Sequence, residues 1–349
     1  MRLLLLSIML MIFTASYGED NIMLFNNFTI QDGLPTNNIM EVAQDTSGFL
    51  WVATELGIAR FDGENFHNYS HVPRDTFSIP SNLIRKLYLS SSGDLWIGTW
   101  NGLCKYDPVY DRFQRFIPNP LLTTGNPLNI IISIDEAVDG TIYFLTEGGY
   151  LYSIKNGVIK TELNLQQGNC KFMLIDRENR CWISSRNTVF RFNINTNFTT
   201  QFEIGYPPNV KDPEITDMIL VDSFLYISSY NSDLIRYNFH SNQQFRYDLV
   251  DDLSHTTTLL KEENMLYIGT SDGLKILDIS TGQIRSYSED LLNSKSLSSN
   301  SVIDVFRDRQ GNLWIGTVKG LNVAYRNKGF FTYSKYNSET EKDLDVRAI

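Results

Sequence analysis

The sequence predicts an all-β chain, a seven-bladed β-propeller of four-stranded antiparallel blades. Three observations carry this: one sentence of residues is spelled seven times, each copy has apolar residues on both sides of an aromatic, and helix-period segments are essentially absent. SGFLWVATELGIARFDG at 47–63 returns as GNLWIGTVKGLNVAY at 311–325. With the aromatic as phase marker, the copies stand at Trp51, Trp96, Tyr143, Trp182, Tyr226, Tyr267 and Trp314. The mean spacing is about 44 residues, the size of one propeller blade.

Each column of the repeat has a physical reading. The marker is preceded by Leu50, Leu95, Ile142, Cys181, Leu225, Leu266 and Leu313 and followed by Val52, Ile97, Phe144, Ile183, Ile227, Ile268 and Ile315. A strand apolar on both faces belongs between stacked sheets. Three residues on comes a hydroxyl in every copy, from Thr54 and Thr99 to Thr317, read as a turn-satisfying group rather than a nucleophile. Gly57, Gly102, Gly149, Gly273 and Gly320 follow, with Thr188 and Ser232 as departures, marking a hairpin that needs positive φ. The first unit thus reads as strand a at 38–45, b at 49–55, c at 57–62 and d at 65–70.

At 349 residues and 42% hydrophobic the chain can bury a large core, and its net charge of −10 with no basic run excludes a phosphate-tracking surface, so no nucleic-acid contact is expected. Residues 1–18, MRLLLLSIMLMIFTASYG, have the form of a secretory signal peptide, too short for a span of about 20 apolar residues. Export to the periplasm with cleavage after Gly18 is expected. Cys104, Cys170 and Cys181 are expected as buried thiols. Pairing Cys181 with Ile175 and Cys170 with Arg186 on one hairpin leaves the last two cysteines about 16 Å apart along the sheet, beyond disulfide reach.

The propeller is assigned to 19–335. DLDVRAI stands where SVIDVF stands before the seventh marker, so 336–349 is expected to be a linker and the truncated start of an eighth repeat. Either Met23–Gln31 or Phe330–Tyr336 supplies the outer strand of the seventh blade. The N-terminal segment is preferred, because an unpaired apolar strand is a sticky edge.

The first unit, with DGLP at 32–35, LWVAT at 50–54 and RFDG at 60–63, resembles the two-component regulator propeller repeat, as do SGDLWIGT at 92–99 and GNLWIGT at 311–317. The resemblance is strongest in units one, two and seven. It implies the N-terminal propeller of the periplasmic sensor region of a hybrid two-component histidine kinase, whose ligands are oligosaccharides released from polysaccharides. The kinase itself is not among these residues, so the resemblance implies no enzyme activity for this chain. Its implied partners are an oligosaccharide, the remaining sensor domains and a second copy in a homodimer.

The motifs for chemistry are sparse. There is no HExxH, CxxC or GxSxG pattern and no phosphate-binding glycine loop, so no cofactor, metal or catalytic residue is assigned. Asp45, Asp62, Asp107, Asp176 and Asp308 read as turn caps. In the predicted strand order the b–c turns and d–a connections share one face. The rim candidates for a ligand are therefore Trp100, Arg186, Tyr230, Lys319, Glu55, Glu147 and Asp272, aromatics for sugar rings and cations for acidic groups. Asn82, Arg85, Asn129 and Asn300 either line the axial funnel or cap turns. Two alternatives stand beside the sensor: a freestanding polysaccharide lyase or glycosidase using one of His67, His240, Glu147 or Tyr230, and a protein-interaction propeller.

Overall fold

The computed structural model describes residues 23–166, 168–208, 210–249 and 255–326. Seven four-stranded antiparallel sheets follow one another around a ring. Blade 1 holds strands Ile39–Gln44, Leu50–Thr54, Gly57–Phe61 and Phe66–Tyr69, within a residue of the predicted bounds. The a strands of successive blades are neighbours, and the last, Val302–Arg307, returns to the first. Strand b is buried along its whole length in blades 1, 2, 3 and 7. Each aliphatic side chain sealed this way is worth about 1.5–3 kcal/mol.

The seventh sheet has the order Asn26–Phe28, Gly320–Ala324, Leu313–Thr317, Val302–Arg307. The N-terminal strand is thus its outer strand, in the register Asn26 to Val323 and Phe28 to Leu321. Phe28 packs 5.2 Å from Phe61 and 6.1 Å from Trp314, ring centre to ring centre, knitting blade 7 to blade 1. The backbone N–H of Phe25 donates to Lys295 O at 2.8 Å. The signal peptide at 1–18, the strand candidate Phe330–Tyr336 and the segment 336–349 lie outside the described residues, as does the predicted propeller end at 335.

The glycine column has a second cause besides positive φ. A Cβ on Gly57 would stand 2.4 Å from Tyr69 O, and one on Gly273 2.2 Å from Tyr287 O. The turn must let strand d pass against its backbone. In blades 4 and 5, where Thr188 and Ser232 replace glycine, the positive φ moves to Arg186 (53°) and Asn231 (57°).

One irregularity recurs in every blade: a β-bulge after the first residue of strand a, between Ile39 and Glu41, Ile84 and Lys86, Ile131 and Ser133, and so round the ring. It shifts the predicted register by one, so Cys170 faces Ser185 rather than Arg186, while Cys181 does face Ile175. All three cysteines are buried and outside any disulfide. Burial pushes each thiol up, that of Cys170 to about 12.

The turn aspartates cap backbone as expected, and three of them also reach an indole. Asp45, Asp176 and Asp308 accept the Nε1–H of Trp51, Trp182 and Trp314 at 2.8, 2.9 and 2.8 Å. In blade 2 Ser90 holds the equivalent place, and Trp96 Nε1 is buried with no partner. A buried donor left unpaired costs about 1–3 kcal/mol. Ser90→Asp is therefore expected to raise the unfolding free energy by about 1 kcal/mol, measured by urea denaturation. Ser90→Ala, which adds no acceptor, is not expected to do so.

Candidate functional site

The two ends of the propeller differ. At one end lie the a–b and c–d turns. The other carries the b–c turns and d–a connections, hydrogen-bonded to one another: Trp100 N donates to Leu83 O, Glu147 N to Ile130 O and Tyr230 N to Glu214 O. The hydroxyl column serves these turns, with Thr54 Oγ1 donating to Gly57 O at 2.8 Å and Thr270 Oγ1 to Gly273 O at 2.7 Å. Asn82, Asn129 and Asn300 act as caps, their Oδ1 atoms accepting the backbone N–H of His71, Asn119 and Glu289. The shared face is the one the strand order implied.

The rim candidates stand on different blades of this face, each with its own neighbours. Trp100, half-buried, has the Arg85 guanidinium 5.2 Å from its ring centre. The blade 2 to blade 3 loop is fastened to it, with Gly125 N donating to Trp100 O at 3.2 Å. Its Nε1 is buried without a partner. Trp100 is therefore a bracket for Arg85 and the loop rather than a bare stacking platform. Tyr230 is 45% exposed and stacks on His255 at 4.5 Å. Burial holds the His255 imidazole below its ordinary pKa, so it stays neutral.

Charges on blades 6 and 7 are neutralised locally. Lys319 pairs with Glu289 at 2.9 Å and Asp272 with Lys275 at 2.8 Å. Glu55 on blade 1 and Arg186 on blade 4 are exposed, and Glu147 on blade 3 is half-buried.

Residues not singled out from the sequence form a second constellation, inside the ring of a strands. The residue after each bulge is Glu41, Lys86, Ser133, Phe172, Asp217, Thr258 or Asp304. Several reach to the next blade. Asp304 Oδ2 accepts Val42 N at 2.8 Å, Ser133 Oγ accepts Met173 N at 3.2 Å, and Asp217 Oδ2 accepts Leu259 N at 2.7 Å. Glu41 accepts Leu87 N and pairs with the Lys86 ammonium. Further along strand a of blade 3, Asp135 Oδ2 accepts Ile175 N.

Among the described residues of this cluster, Lys86 is the single cation beside the carboxylates of Glu41, Asp135, Asp217 and Asp304. Burial pushes Asp217 and Asp304 up to about 7, the nearby Glu41 charge adding to the effect on Asp304, and burial also raises Glu41 and Asp135. Burial alone would lower Lys86, but the Glu41 carboxylate outweighs it and the ammonium is held above its usual range. Among the described residues no group of three His, Cys, Asp or Glu is placed to hold a metal ion.

The four residues named for the enzyme alternative are not gathered at one end. His240 sits in the c–d turn of blade 5, beside Phe239, at the opposite end from Glu147 and Tyr230. His67 packs edge-on against Tyr69 on the outer strand of blade 1. The densest titratable group outside the axis joins blades 1 and 2: Asp111 accepts the hydroxyls of Tyr69 at 2.7 Å and Tyr106 at 2.6 Å, with Arg60 3.3 Å away. Burial and the Asp111 hydrogen bond push Tyr69 up, so its hydroxyl keeps its proton and the group is a clasp.

Fold and site together define a β-propeller with one decorated face and a polar axis. The model of the two component regulator propeller family matches residues 33–55, 78–101 and 296–319, which lie in blades 1, 2 and 7. A stretch of 62 residues is 37% identical to Histidine kinase P4 of Formosa agariphila, covering 18% of this chain and 4% of that protein. The extracellular domain of the hybrid two component system BT4673 from B. thetaiotaomicron has a similar structure, with a TM-score of 0.73 and 17% identity over 88% of this chain and 40% of that one. That of BT3049 from the same organism gives 0.71 and 21% over 86% and 41%. A streptogramin B lyase gives 0.67 and 16% over 86% and 96%. At these identities the structural likenesses establish the fold, and the chain spans about two fifths of the two sensor domains.

The axial cluster makes stability depend on pH. A carboxyl whose folded pKa lies above its unfolded value stabilises the fold at low pH, and that stability is lost as pH rises through the folded pKa. For Asp304 and Asp217 the window runs from their ordinary 3.8 to about 7. Asp304→Asn keeps an acceptor for Val42 N and removes the charge. Relative to the native chain it is expected to gain stability progressively between about pH 4 and pH 7, read from urea midpoints, and a difference that stays flat with pH would refute the assignment.

Proposed function

We propose that this chain is an extracytoplasmic, non-enzymatic sensory module that binds a glycan-derived oligosaccharide on its b–c face and helps regulate use of that glycan. It works as part of a hybrid two-component sensor, exported to the periplasm and acting with further sensor domains and a second copy of itself. The observation that carries the ligand reading is the pair of ring stacks on one rigid face, Arg85 on Trp100 and Tyr230 on His255. The matched repeats and the 62-residue stretch shared with a histidine kinase support the sensor context. The Tyr230 ring, held at fixed orientation on His255, would receive a sugar at low entropic cost, and the Trp100 ring would hold Arg85 toward it.

The test is calorimetric titration with a panel of neutral and acidic oligosaccharides, each sample then examined by mass spectrometry for cleavage. Saturable binding without product is expected, and Tyr230→Ala is expected to weaken it about tenfold, the equivalent of one good aromatic contact. Product formation would replace the sensor with the lyase or glycosidase reading. Binding that ignores Tyr230 would move the site away from blade 5, and binding that ignores Arg85 as well would move it off this face.

A further inference from the structure

The cations of the b–c face are distributed unevenly. On blades 6 and 7 Lys275 and Lys319 are tied to Asp272 and Glu289. On blades 2 to 4 Arg85 and Arg186 are exposed and form no ion pair among the described residues, and Lys171 holds Glu214 at 3.5 Å with both side chains about one third exposed. Arg85 and Lys171 occupy the bulge position of their strands, which in other blades holds Met40, Ile132, Thr216, Thr257 or Ile303. The fold does not require a cation there. Blades 2 and 4 flank blade 3, which offers aliphatic Ile132 at that level. The guanidinium of Arg85 is held against the Trp100 ring, so its orientation is set before any ligand arrives.

We infer that the sector of blades 2 to 4 is an anion-recognition site, with Arg85 as its principal residue and Lys171 and Arg186 beside it, which takes a carboxylate or sulfate group carried on an oligosaccharide. The inference deepens the sensor reading and rests on it. A planar guanidinium stacked on an aromatic keeps its N–H edge outward, where it meets a carboxylate or sulfate through two parallel hydrogen bonds. Lys171 exchanges its long contact with Glu214 for the incoming charge. Such recognition selects an acidic sugar in a chain whose net charge of −10 otherwise repels one.

The test is titration of the full chain with a hexuronate oligomer, its O-sulfated counterpart and a neutral hexose oligomer of the same length, followed by tryptophan fluorescence and calorimetry at two ionic strengths. At least one anionic probe is expected to bind at millimolar concentration or better, more tightly than the neutral one and less tightly as salt rises. Arg85→Gln is expected to weaken it about 10- to 100-fold, the range for one charged hydrogen-bonding group, and Arg85→Lys by less. Lys155→Ala, which breaks the exposed pair with Asp139, serves as the control and leaves affinity unchanged. Equal binding of the neutral oligomer, or affinity insensitive to Arg85→Gln in a folded variant, overturns the anion assignment while leaving the sensor reading standing. Failure of both anionic probes at millimolar concentration overturns it as well, whatever the neutral sugars do.

Discussion

Everything in this molecule depends on closing the ring. A strand buried on both faces is stable only if sheets stand on either side of it, so an open row of blades would leave two apolar sheet faces in water. Three residues, Asn26–Phe28, complete the last sheet by antiparallel pairing with Gly320–Ala324. Their backbone bonds are few, but Phe28 enters the seam between blades 7 and 1, against Phe61, Phe66 and Trp314. The seam has polar fastenings too: Gln44 Nε2 donates to Gln310 Oε1 at 3.0 Å and Arg309 N to Gln44 Oε1 at 2.9 Å. Residues some 265 positions apart are held as tightly as hairpin neighbours, which is why the N-terminal segment belongs to the fold rather than to a linker.

The bulge is the second constraint. Strand a is innermost, where seven sheets converge and space is smallest. An extra residue there sets two successive residues of strand a opposite one of strand b. These positions differ in chemistry from blade to blade: Met40, Ile132 and Phe172 pack on the apolar clusters, while others are polar or charged. Several of them have become fasteners between blades, with a side-chain oxygen of one a strand accepting a backbone N–H of the next. Lys86 and the carboxylates around it are this arrangement built from ionisable groups. The half-buried Glu41–Lys86 pair adds little stability by itself, yet losing one partner is costly because the other group remains.

What the sequence made legible follows the same division. The marker columns were readable because every blade imposes the same burial, so Leu50 and Leu313, or Trp51 and Trp314, answer one demand. The bulge was not readable: it adds no residue to the period and carries no glycine or proline, and it surfaces only as the one-residue offset at Cys170. The axial column escaped for a related reason. Glu41, Lys86, Phe172 and Thr258 share a position but not a chemistry, so comparing repeats hides them. A signal did exist: Glu41, Lys86, Asp217 and Asp304 each stand third in a strand that opens on Ile or Val. The indole bonds of Asp45, Asp176 and Asp308 were half-visible, since a capping role was assigned to the aspartates but the six-residue spacing to each tryptophan was not used.

The face proposed for a ligand shows why a propeller would suit recognition. Its b–c turns are fixed from below by strands that cannot shift without breaking a blade interface, so a side chain there varies without cost to the fold. Trp100 shows the limit of reading such a turn from composition. Its ring is committed to Arg85 on one side and to the loop at Gly125 on another. The group it presents to a ligand is therefore a cation held in place, not an aromatic surface. The same reasoning separates Arg186 from Lys319, which look alike in sequence: the second is already answered by Glu289, the first by no carboxylate among the described residues. On the proposed reading, specificity on this face follows from which charges the protein leaves for a ligand to neutralise.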